Sequence, residues 1–264
     1  MRVINLNNIY NMTFFSPLEQ FDILPIIPLF FKTLDISITN ETVILGLGFL
    51  GLFVLSVSTR GTGNCLPLIP SSIQVIFEII YKLISSLIKD NIVTNNKEHY
   101  FPIIISIFFF ISLLNGIGLI PYSFTLTSHI IITFALSFAI YIGINIICIK
   151  KFGILYFSLF LPSGTSFILA LLLVPIELIS YLFKPISLSI RLFANMMAGH
   201  TLLKVIAGFA ADLMYSTGIF FVIHVIPLII LFPLFGLECG VALIQSFVFS
   251  ILVCIYINDA LNFH

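Results

Sequence analysis

Charged side chains are scarce beyond residue 100, and three of them recur at a spacing that could build a pathway for ions or protons. Only nine charged residues occur between residues 101 and 264: Lys150, Lys151, Glu177, Lys184, Arg191, Lys204, Asp212, Glu238 and Asp259. Glu177, Lys184 and Arg191 are spaced by seven residues, which keeps them near one helical face with a drift of about 20° per step. Isolated charges in apolar surroundings are costly and usually mark such a pathway.

Polar residues of two long apolar segments pair in a common register if the segments form an antiparallel hairpin. In such a hairpin the residue numbers of two facing residues add up to a nearly constant value, because one number rises as the other falls. Three pairs have sums of 436 or 438: Arg191 with Gln245, Glu177 with Asp259, and His200 with Glu238. The bend should lie at half of the sum 436, residue 218, which belongs to the turn-like tripeptide Ser216-Thr217-Gly218. His200 lies nine residues from Arg191, about half a turn around an ideal helix, so it is expected to line a different cavity.

Arg191 lies near the middle of its segment and could separate two sets of titratable groups. Glu177 is about 21 Å away toward one end and His200 about 14 Å away toward the other. A guanidinium does not deprotonate, repels cations and favours ionisation of a carboxyl group presented to it. This arrangement predicts a proton pathway in two halves, with Arg191 as both barrier and trigger.

Two structural interpretations of the same residues remain open. Arg191 could pair with Glu177 or Glu238 and only hold helices together, and His200 with Glu238 could form a buried structural pair. Lys184 and Lys204 are expected to extend their amines to a membrane interface.

The amino-acid composition indicates a membrane protein. Of 264 residues 60% are apolar and 8% are charged, against about a quarter charged in soluble domains. Eleven basic residues balance eleven acidic ones, so no net charge would attract nucleic acid. The mean hydropathy is +1.21. These values exclude a disordered chain, a basic nucleic-acid-binding protein and an ordinary cytosolic enzyme.

Sequence motifs for metal or nucleotide binding are missing. The four cysteines lack the spacing of a metal site, and there is no phosphate loop, zinc signature or nucleophile elbow. We therefore expect no metal and no cofactor.

The order of apolar segments predicts an all-α, polytopic membrane protein with about five membrane-embedded helices and one amphipathic surface helix. Residues 1–40 form an N-terminal arm, of which residues 1–15 are a possible leader, and residues 41–264 form the membrane-embedded proton-channel domain. That domain divides into four parts: a first span at 41–58, a surface helix at 71–90, two spans in 101–150, and a long, steeply tilted helix hairpin at 166–260.

Periodicity and length support two parts of this plan. Apolar residues of the 71–90 segment recur at a helical period with Glu78, Lys82 and Lys89 between them, as in helices that lie in a membrane surface. Each arm of the hairpin has about 40 residues, or about 60 Å of helix, although a membrane core is only about 30 Å thick. Each arm therefore either breaks into two spans or is a strongly tilted or bent helix. Basic residues in the 60–97 loop and at Lys150-Lys151 predict that these loops lie on the inner side.

The stretch from Ser187 to His200, SLSIRLFANMMAGH, strongly resembles subunit a of F-type ATP synthases, the proton-channel subunit beside a rotating c-ring. The resemblance extends over the chain from about Ser16 and includes Ser16–Phe21, Ile120–Phe124 and Glu238–Gln245. It implies long, inclined helices against the ring and a surface helix like the one at 71–90.

The resemblance also implies roles for individual residues. Arg191 corresponds to the family's essential arginine, which acts on the ring carboxylates and prevents a leak. The other matches are His200, Glu238 and Asn115 for the outer half-channel, Glu177 and Asp259 for the inner half-channel, and Gln245 and Asn195 facing the arginine. The implied partners are the c-ring, the peripheral stalk and other membrane-sector subunits, together with lipid and protons. No nucleic acid is expected, and the chain itself should bind no nucleotide.

Composition and the resemblance together suggest where the protein works. A bias toward Ile, Phe, Asn and Leu, with no targeting sequence recognised, favours a protein made inside an organelle. The resemblance implies the mitochondrial inner membrane, with a bacterial plasma membrane as the alternative.

Three other functions fit an apolar chain with a central arginine less well. A secondary transporter for an anionic substrate would contain an internal repeat, and none is found. An intramembrane hydrolase would need a base near Ser187 or Ser189 at a suitable spacing, and the sequence has none. A purely structural scaffold would leave the common register of the polar pairs as a coincidence.

Overall fold

The computed structural model describes residues 18–31, 34–58, 72–92, 97–120, 123–153, 156, 167–215 and 225–261. Within them six α-helices follow in order: α1 (Asn40–Ser58), α2 (Ser72–Asn91), α3 (Phe101–Gly118), α4 (Ile130–Phe152), α5 (Phe167–Tyr215) and α6 (Val225–Leu261). The possible leader at 1–15 and the predicted bend at Ser216-Thr217-Gly218 lie outside these residues.

The expected all-α polytopic membrane architecture is confirmed. Four helical stretches of the described chain are long and apolar enough to cross a membrane: Glu98–Gly118, Ile130–Phe152, Leu169–Met214 and Val225–Leu261. Helix α1 is apolar over the shorter stretch Asn40–Leu55. Together these helices match the five embedded helices that hydropathy predicts.

The N-terminal arm contains short strands that the sequence pattern did not predict. β1 (Pro25–Ile27) pairs antiparallel with β4 (Ile38–Thr39), and β2 (Phe30–Phe31) pairs with β3 (Leu34–Asp35). Strands of two or three residues are too short to show an alternating pattern. The Asn40 side chain joins this hairpin to α1, since its Oδ1 accepts from the backbone amides of Leu24 and Glu41.

Local chemistry explains where α3 and α4 begin or end. Helix α3 has a proline in its first turn, where the missing N–H costs no helical hydrogen bond. Helix α4 ends at Gly153, whose φ of +57° is a left-handed conformation that favours glycine. Lys150 and Lys151 in its last turn complement the negative end of the helix dipole.

Helix α2 has the amphipathic character predicted for the 71–90 segment. Ile84, Ile88 and Ile92 are at most 3% exposed and pack against α3 and α6. The charged residues Glu78 and Lys82 are exposed. The apolar face of α2 therefore covers the helix bundle, and its polar face is turned away from it.

The two long arms of the predicted hairpin are single helices. Helix α5 has 49 residues and α6 has 37, about 73 Å and 55 Å at 1.5 Å per residue. Prolines inside both helices, at 175 and 185 in α5 and at 233 in α6, do not end them. Helices of this length fit a membrane core of about 30 Å only if they are steeply inclined, which favours the tilted alternative over two separate spans.

Helix α6 forms the centre of the bundle and α5 its margin. Helix α6 contacts α2, α3, α4 and α5, and its residues Phe249, Val253 and Cys254 are at most 1% exposed. Helix α5 packs on α4, α6 and the short turn Leu126–Ser128. One face of α5 carries exposed side chains along much of its length, and this face includes Arg191.

Candidate functional site: two polar clusters on either side of an exposed arginine

Arg191 lies on the exposed face of α5. Its neighbours Leu188, Ser189 and Leu192 are at most 2% exposed, so the buried side of the helix is the opposite one. Among the described residues Arg191 makes no hydrogen bond or ion pair, so the proposed structural pairs with Glu177 and Glu238 are not present. A permanent cation on an apolar surface requires an anionic partner, and the described part of this chain does not supply one.

Small side chains border the arginine. Ser187, Ala194 and Ala198 precede or follow Arg191 by four, three and seven residues, and all three are exposed. These spacings put them on the same side of the helix. Small side chains therefore lie both before and after the guanidinium on this side of the helix.

Gln245, which is predicted to face Arg191, forms a hydrogen bond with the neighbouring Asn195. Asn195 Nδ2 donates to Gln245 Oε1 at 2.8 Å, and Gln245 is 4% exposed. Asn195 follows Arg191 by one helical turn, so this hydrogen bond joins α5 to α6 directly beside the guanidinium. Gln245 Nε2 is buried without a hydrogen-bond partner among the described residues.

The predicted pair of His200 and Glu238 is present. His200 Nδ1 lies 3.1 Å from Glu238 Oε1, and the two side chains are 13% and 5% exposed. This contact lacks hydrogen-bond geometry. Both carboxyl oxygens of Glu238, and also His200 Nε2, are buried without a hydrogen-bond partner in the described chain. Two titratable groups therefore meet in a buried site whose polar atoms still require hydrogen bonds.

Two glycines and an asparagine shape the cluster around His200 and Glu238. A Cβ on Gly199 would lie 2.7 Å from Glu238 Oε1, so a larger residue here would displace the carboxyl group from its position. A Cβ on Gly118 would lie 3.8 Å from His200 Nε2 and 2.9 Å from a methyl group of Thr125. Asn115 is 1% exposed and donates from Nδ2 to the carbonyl oxygen of Ala242, one turn after Glu238. Helices α3, α5 and α6 converge here.

Lys184 and Asp259 form the second cluster. Lys184 Nζ lies 2.8 Å from Asp259 Oδ2 and 5.2 Å from the ring centroids of both Tyr181 and Tyr256. The side chains of Lys184 and Asp259 are 26% and 43% exposed. An ion pair within the protein holds the Lys184 amine, and the extension of this amine to a membrane interface stays a prediction. Glu177 is half-buried on α5, two turns before Lys184.

The constant register predicted for the hairpin is only partly correct. The sum of positions is 438 for His200 with Glu238, 440 for Asn195 with Gln245 and 443 for Lys184 with Asp259. Side chains lean toward the N-terminus of their helix, and a long lysine therefore contacts a partner several residues beyond its own level. Asp259 pairs with Lys184, not with Glu177, for this reason.

A buried polar turn between α3 and α4 belongs to the same region as His200. Thr125, Thr127 and Ser128 are 3 to 4% exposed, and Thr125 Oγ1 donates to Ser128 Oγ at 2.7 Å. The ring of His129 stacks on Phe124 with centroids 4.9 Å apart. From the sequence alone this turn is predicted to be an uncharged connection on the outer side, and His129 to be a hydrogen-bonded polar group, not a proton carrier. The signal of this turn was a run of hydroxyl side chains and a histidine between two apolar helices.

The two clusters lie on opposite sides of Arg191 along α5. His200 follows Arg191 by nine residues and Lys184 precedes it by seven, about 14 Å and 11 Å of helix. Within the described chain, no three His, Cys, Asp or Glu residues come together in a way that could hold a metal ion. The chemistry available here is thus proton exchange on each side of a fixed positive charge.

Comparison with known proteins gives consistent matches. Residues 41–258 match the family model described as ATP synthase A chain. The chain is 45% identical over 263 residues to ATP synthase subunit a-1 of Arabidopsis thaliana, covering 97% of this chain and 68% of that protein. It is 48% identical over 253 residues to ATP synthase subunit a of Pylaiella littoralis, covering 95% and 100%. It is 42% identical over 251 residues to the protein of the same name from Rhodospirillum rubrum, covering 94% and 99%.

Proposed function

Because this chain belongs to the ATP synthase A chain family and is a multi-pass membrane-sector subunit, not a catalytic one, we propose that it conducts protons to and from a c-ring. Two offset half-channels carry the protons, and their flow through the ring drives rotation and ATP synthesis. The observation that most supports this proposal is Arg191, exposed on α5 without a partner among the described residues, between two clusters of titratable groups.

The outer half-channel in this proposal leads past Asn115, His200 and Glu238. A proton passes from the histidine–glutamate pair to a carboxylate of the ring, which becomes neutral and can then move into the lipid. Neutralisation removes the large cost of exposing a charge to hydrocarbon. The buried oxygens of Glu238, which lack hydrogen-bond donors in the described chain, suit a site that repeatedly gains and loses a proton.

The inner half-channel leads past Glu177 and Asp259. The Lys184 ammonium lies 2.8 Å from Asp259 Oδ2, so an ion pair joins α5 to α6 along this half-channel. Each elementary charge that crosses the membrane supplies about 2.3 kcal/mol per 100 mV of membrane potential.

Arg191 separates the two half-channels, with Asn195 and Gln245 beside it. Its guanidinium stays protonated and repels a proton that would pass directly between the halves. It also attracts the ionised ring carboxylate that approaches it, and so promotes proton release on the inner side.

The environment of Arg191 argues against the transporter alternative. A transporter would enclose an anion-binding arginine between helices near the membrane midplane. Arg191 is instead exposed on the outside of the described bundle. That position suits a partner protein better than a small substrate.

Thiol labelling from each side of the membrane tests the proposal. Asn115→Cys and Asp259→Cys are made in the assembled complex after the native cysteines are replaced. Silver ions should block proton flow through Asn115→Cys only from the outer side and through Asp259→Cys only from the inner side. Ser250→Cys, at a position that is 0% exposed in the core of α6, is the control and should not respond. Inhibition of both channel variants from the same side would contradict two offset half-channels.

The fit of Glu238 against Gly199 yields a further prediction. Gly199→Ala should reduce proton-driven ATP synthesis by about tenfold or more, because its Cβ displaces a carboxyl group that must be positioned to transfer protons. Gly208→Ala in the same helix is the matched control, since a Cβ there meets no atom within 4 Å. ATP synthesis by membrane vesicles, normalised to the amount of assembled complex, measures both variants. Equal synthesis by the two would show that the position of Glu238 is unimportant.

We also propose the cellular setting and the remaining partners. The protein works in the mitochondrial inner membrane, next to peripheral-stalk and other membrane-sector subunits. A bacterial plasma membrane is the alternative, because the Rhodospirillum rubrum relative is 42% identical over nearly its whole length.

A further inference from the structure

We propose that His129 is a further proton-relay residue, and that the buried polar turn Thr125–His129 lines the entrance through which protons reach His200. This inference rests on the proposed function, since it extends the outer half-channel toward the membrane surface. It assigns a role to a histidine that carries no part of the mechanism described so far.

Buried polar atoms without partners are concentrated in this part of the molecule. Seven buried side-chain nitrogen or oxygen atoms of the described residues lack a hydrogen-bond partner, and five of them belong to Asn115, His129, His200 and Glu238. Proteins rarely leave such atoms unsatisfied, and internal water commonly satisfies them where the site is polar. Their concentration indicates a hydrated passage.

The polar turn that carries His129 at its end packs beside His200 at its start. His200 Nε2 and a Thr125 methyl group both approach Gly118, where a Cβ would lie 3.8 Å and 2.9 Å from them. His129 follows Thr125 by four residues in a turn held by Ser128 N–H to Thr125 carbonyl and His129 N–H to Leu126 carbonyl hydrogen bonds. Four residues of such a tight turn rise about 8 Å, which separates His129 from Thr125 along the turn. In this proposal water molecules carry the proton along the turn and past Thr125 to His200.

The packing of the turn keeps it against the half-channel. Leu126–Ser128 contacts α5, the helix that carries His200, as well as α3 and α4. Its hydroxyl groups are buried within the protein, and at most 4% of Ser128 is exposed. Hydroxyl side chains accept and donate hydrogen bonds without holding a charge, so they suit the wall of a proton path.

A purely structural role would not explain the His129 side chain fully. Stacking on Phe124 explains the packing of one face of the His129 imidazole ring. It does not satisfy Nε2, which is buried and without a hydrogen-bond partner in the described chain. A relay does explain this atom, because an imidazole nitrogen accepts a proton from water on the outer side. The ring then returns a proton to the water chain that leads to His200, and His129 ends in its starting state.

Glutamine at position 129 distinguishes relay from packing. The assembled complex carrying His129→Gln keeps an amide that can form hydrogen bonds but cannot carry a proton. We expect passive proton conduction through the membrane sector, measured after removal of the catalytic sector, to fall about tenfold, since positioned acid–base groups contribute at least that much. His129→Ala should conduct as poorly, and imidazole added on the outer side should restore part of its conduction. His99→Gln changes an exposed histidine outside the cluster and should conduct normally.

A parallel His200→Gln variant separates failure of this inference from failure of the proposed function. Normal conduction by His129→Gln, together with lost conduction by His200→Gln, would overturn the relay role of His129 alone. Normal conduction by both variants would overturn the proposed outer half-channel as well. Poor conduction by His129→Ala that imidazole does not restore, with normal conduction by His129→Gln, would show that His129 only packs.

Discussion

Replacing Arg191 with alanine should abolish both proton-driven ATP synthesis and ATP-driven proton pumping in the assembled complex. The guanidinium is the permanent charge between the two polar clusters, and among the described residues no side chain pairs with it. An ion pair at about 4 Å with an effective dielectric constant near 20 is worth about 4 kcal/mol, which corresponds to a rate effect of about a thousandfold. Synthesis should therefore fall below detection.

Two measurements identify the cause of this loss. The Arg191→Ala complex should hydrolyse ATP without acidifying vesicles, and its membrane sector should show a passive proton leak, because the barrier between the half-channels is gone. Arg191→Lys is the matched variant. It keeps a charge that can deprotonate and cannot bind a carboxylate through two nitrogens, so it should be impaired as well. Wild-type coupling in Arg191→Ala would contradict the mechanism.

Exchanging His200 and Glu238 should restore activity that either single change removes. The single variant His200→Glu brings two carboxyl groups together, and Glu238→His brings two imidazoles together, in a site where the native side chains are 13% and 5% exposed. Like groups this close oppose each other's ionisation and disturb proton uptake. We expect each single variant to lose about a hundredfold in ATP synthesis, as when a positioned acid–base group is removed. The double variant should recover about tenfold, because it restores one acid and one base.

The exchange is analysed as a double-mutant cycle in vesicles with equal amounts of assembled complex. Additive losses, with the double variant no better than the worse single one, would show that the two residues do not act as a pair. Exchanging Ser246 and Ala242, which lie one turn apart on α6, is the control for a disturbed helix and should show no such recovery.

Long-range architecture could be predicted because it depends on length and hydropathy. Forty-residue apolar arms exceed a membrane thickness, and the alternation of charged and apolar residues in the 71–90 segment indicates a helix with one polar face. The strands of the N-terminal arm could not be predicted, since pairs of two or three residues depend on contacts between segments. One such contact is made by the Asn40 side chain.

Pairing across the hairpin could be predicted only where side chains are short. His200 and Glu238 lie nearly level with each other, and the constant sum of positions identified them correctly. Lys184 breaks the rule because its flexible chain extends along the helix to Asp259. Backbone register alone does not determine which charged side chain a lysine contacts.

Uncharged parts of the site are the hardest to recognise from sequence. Gly199 and the hydroxyl residues Thr125, Thr127 and Ser128 carry no charge, so the spacing of charged residues does not identify them. Their importance depends on what surrounds them: a carboxyl oxygen 2.7 Å from a missing Cβ, and hydroxyl groups buried between helices.

The small side chains beside Arg191 would have a mechanical consequence in the proposed rotary function. Ser187, Ala194 and Ala198 offer little bulk that could interlock with the helices of a ring moving past them. Interlocking ridges and grooves stabilise static helix pairs, and between moving helices they would add an energy barrier to every step. With small side chains this barrier would be low, and the attraction between Arg191 and a ring carboxylate would determine where the ring pauses.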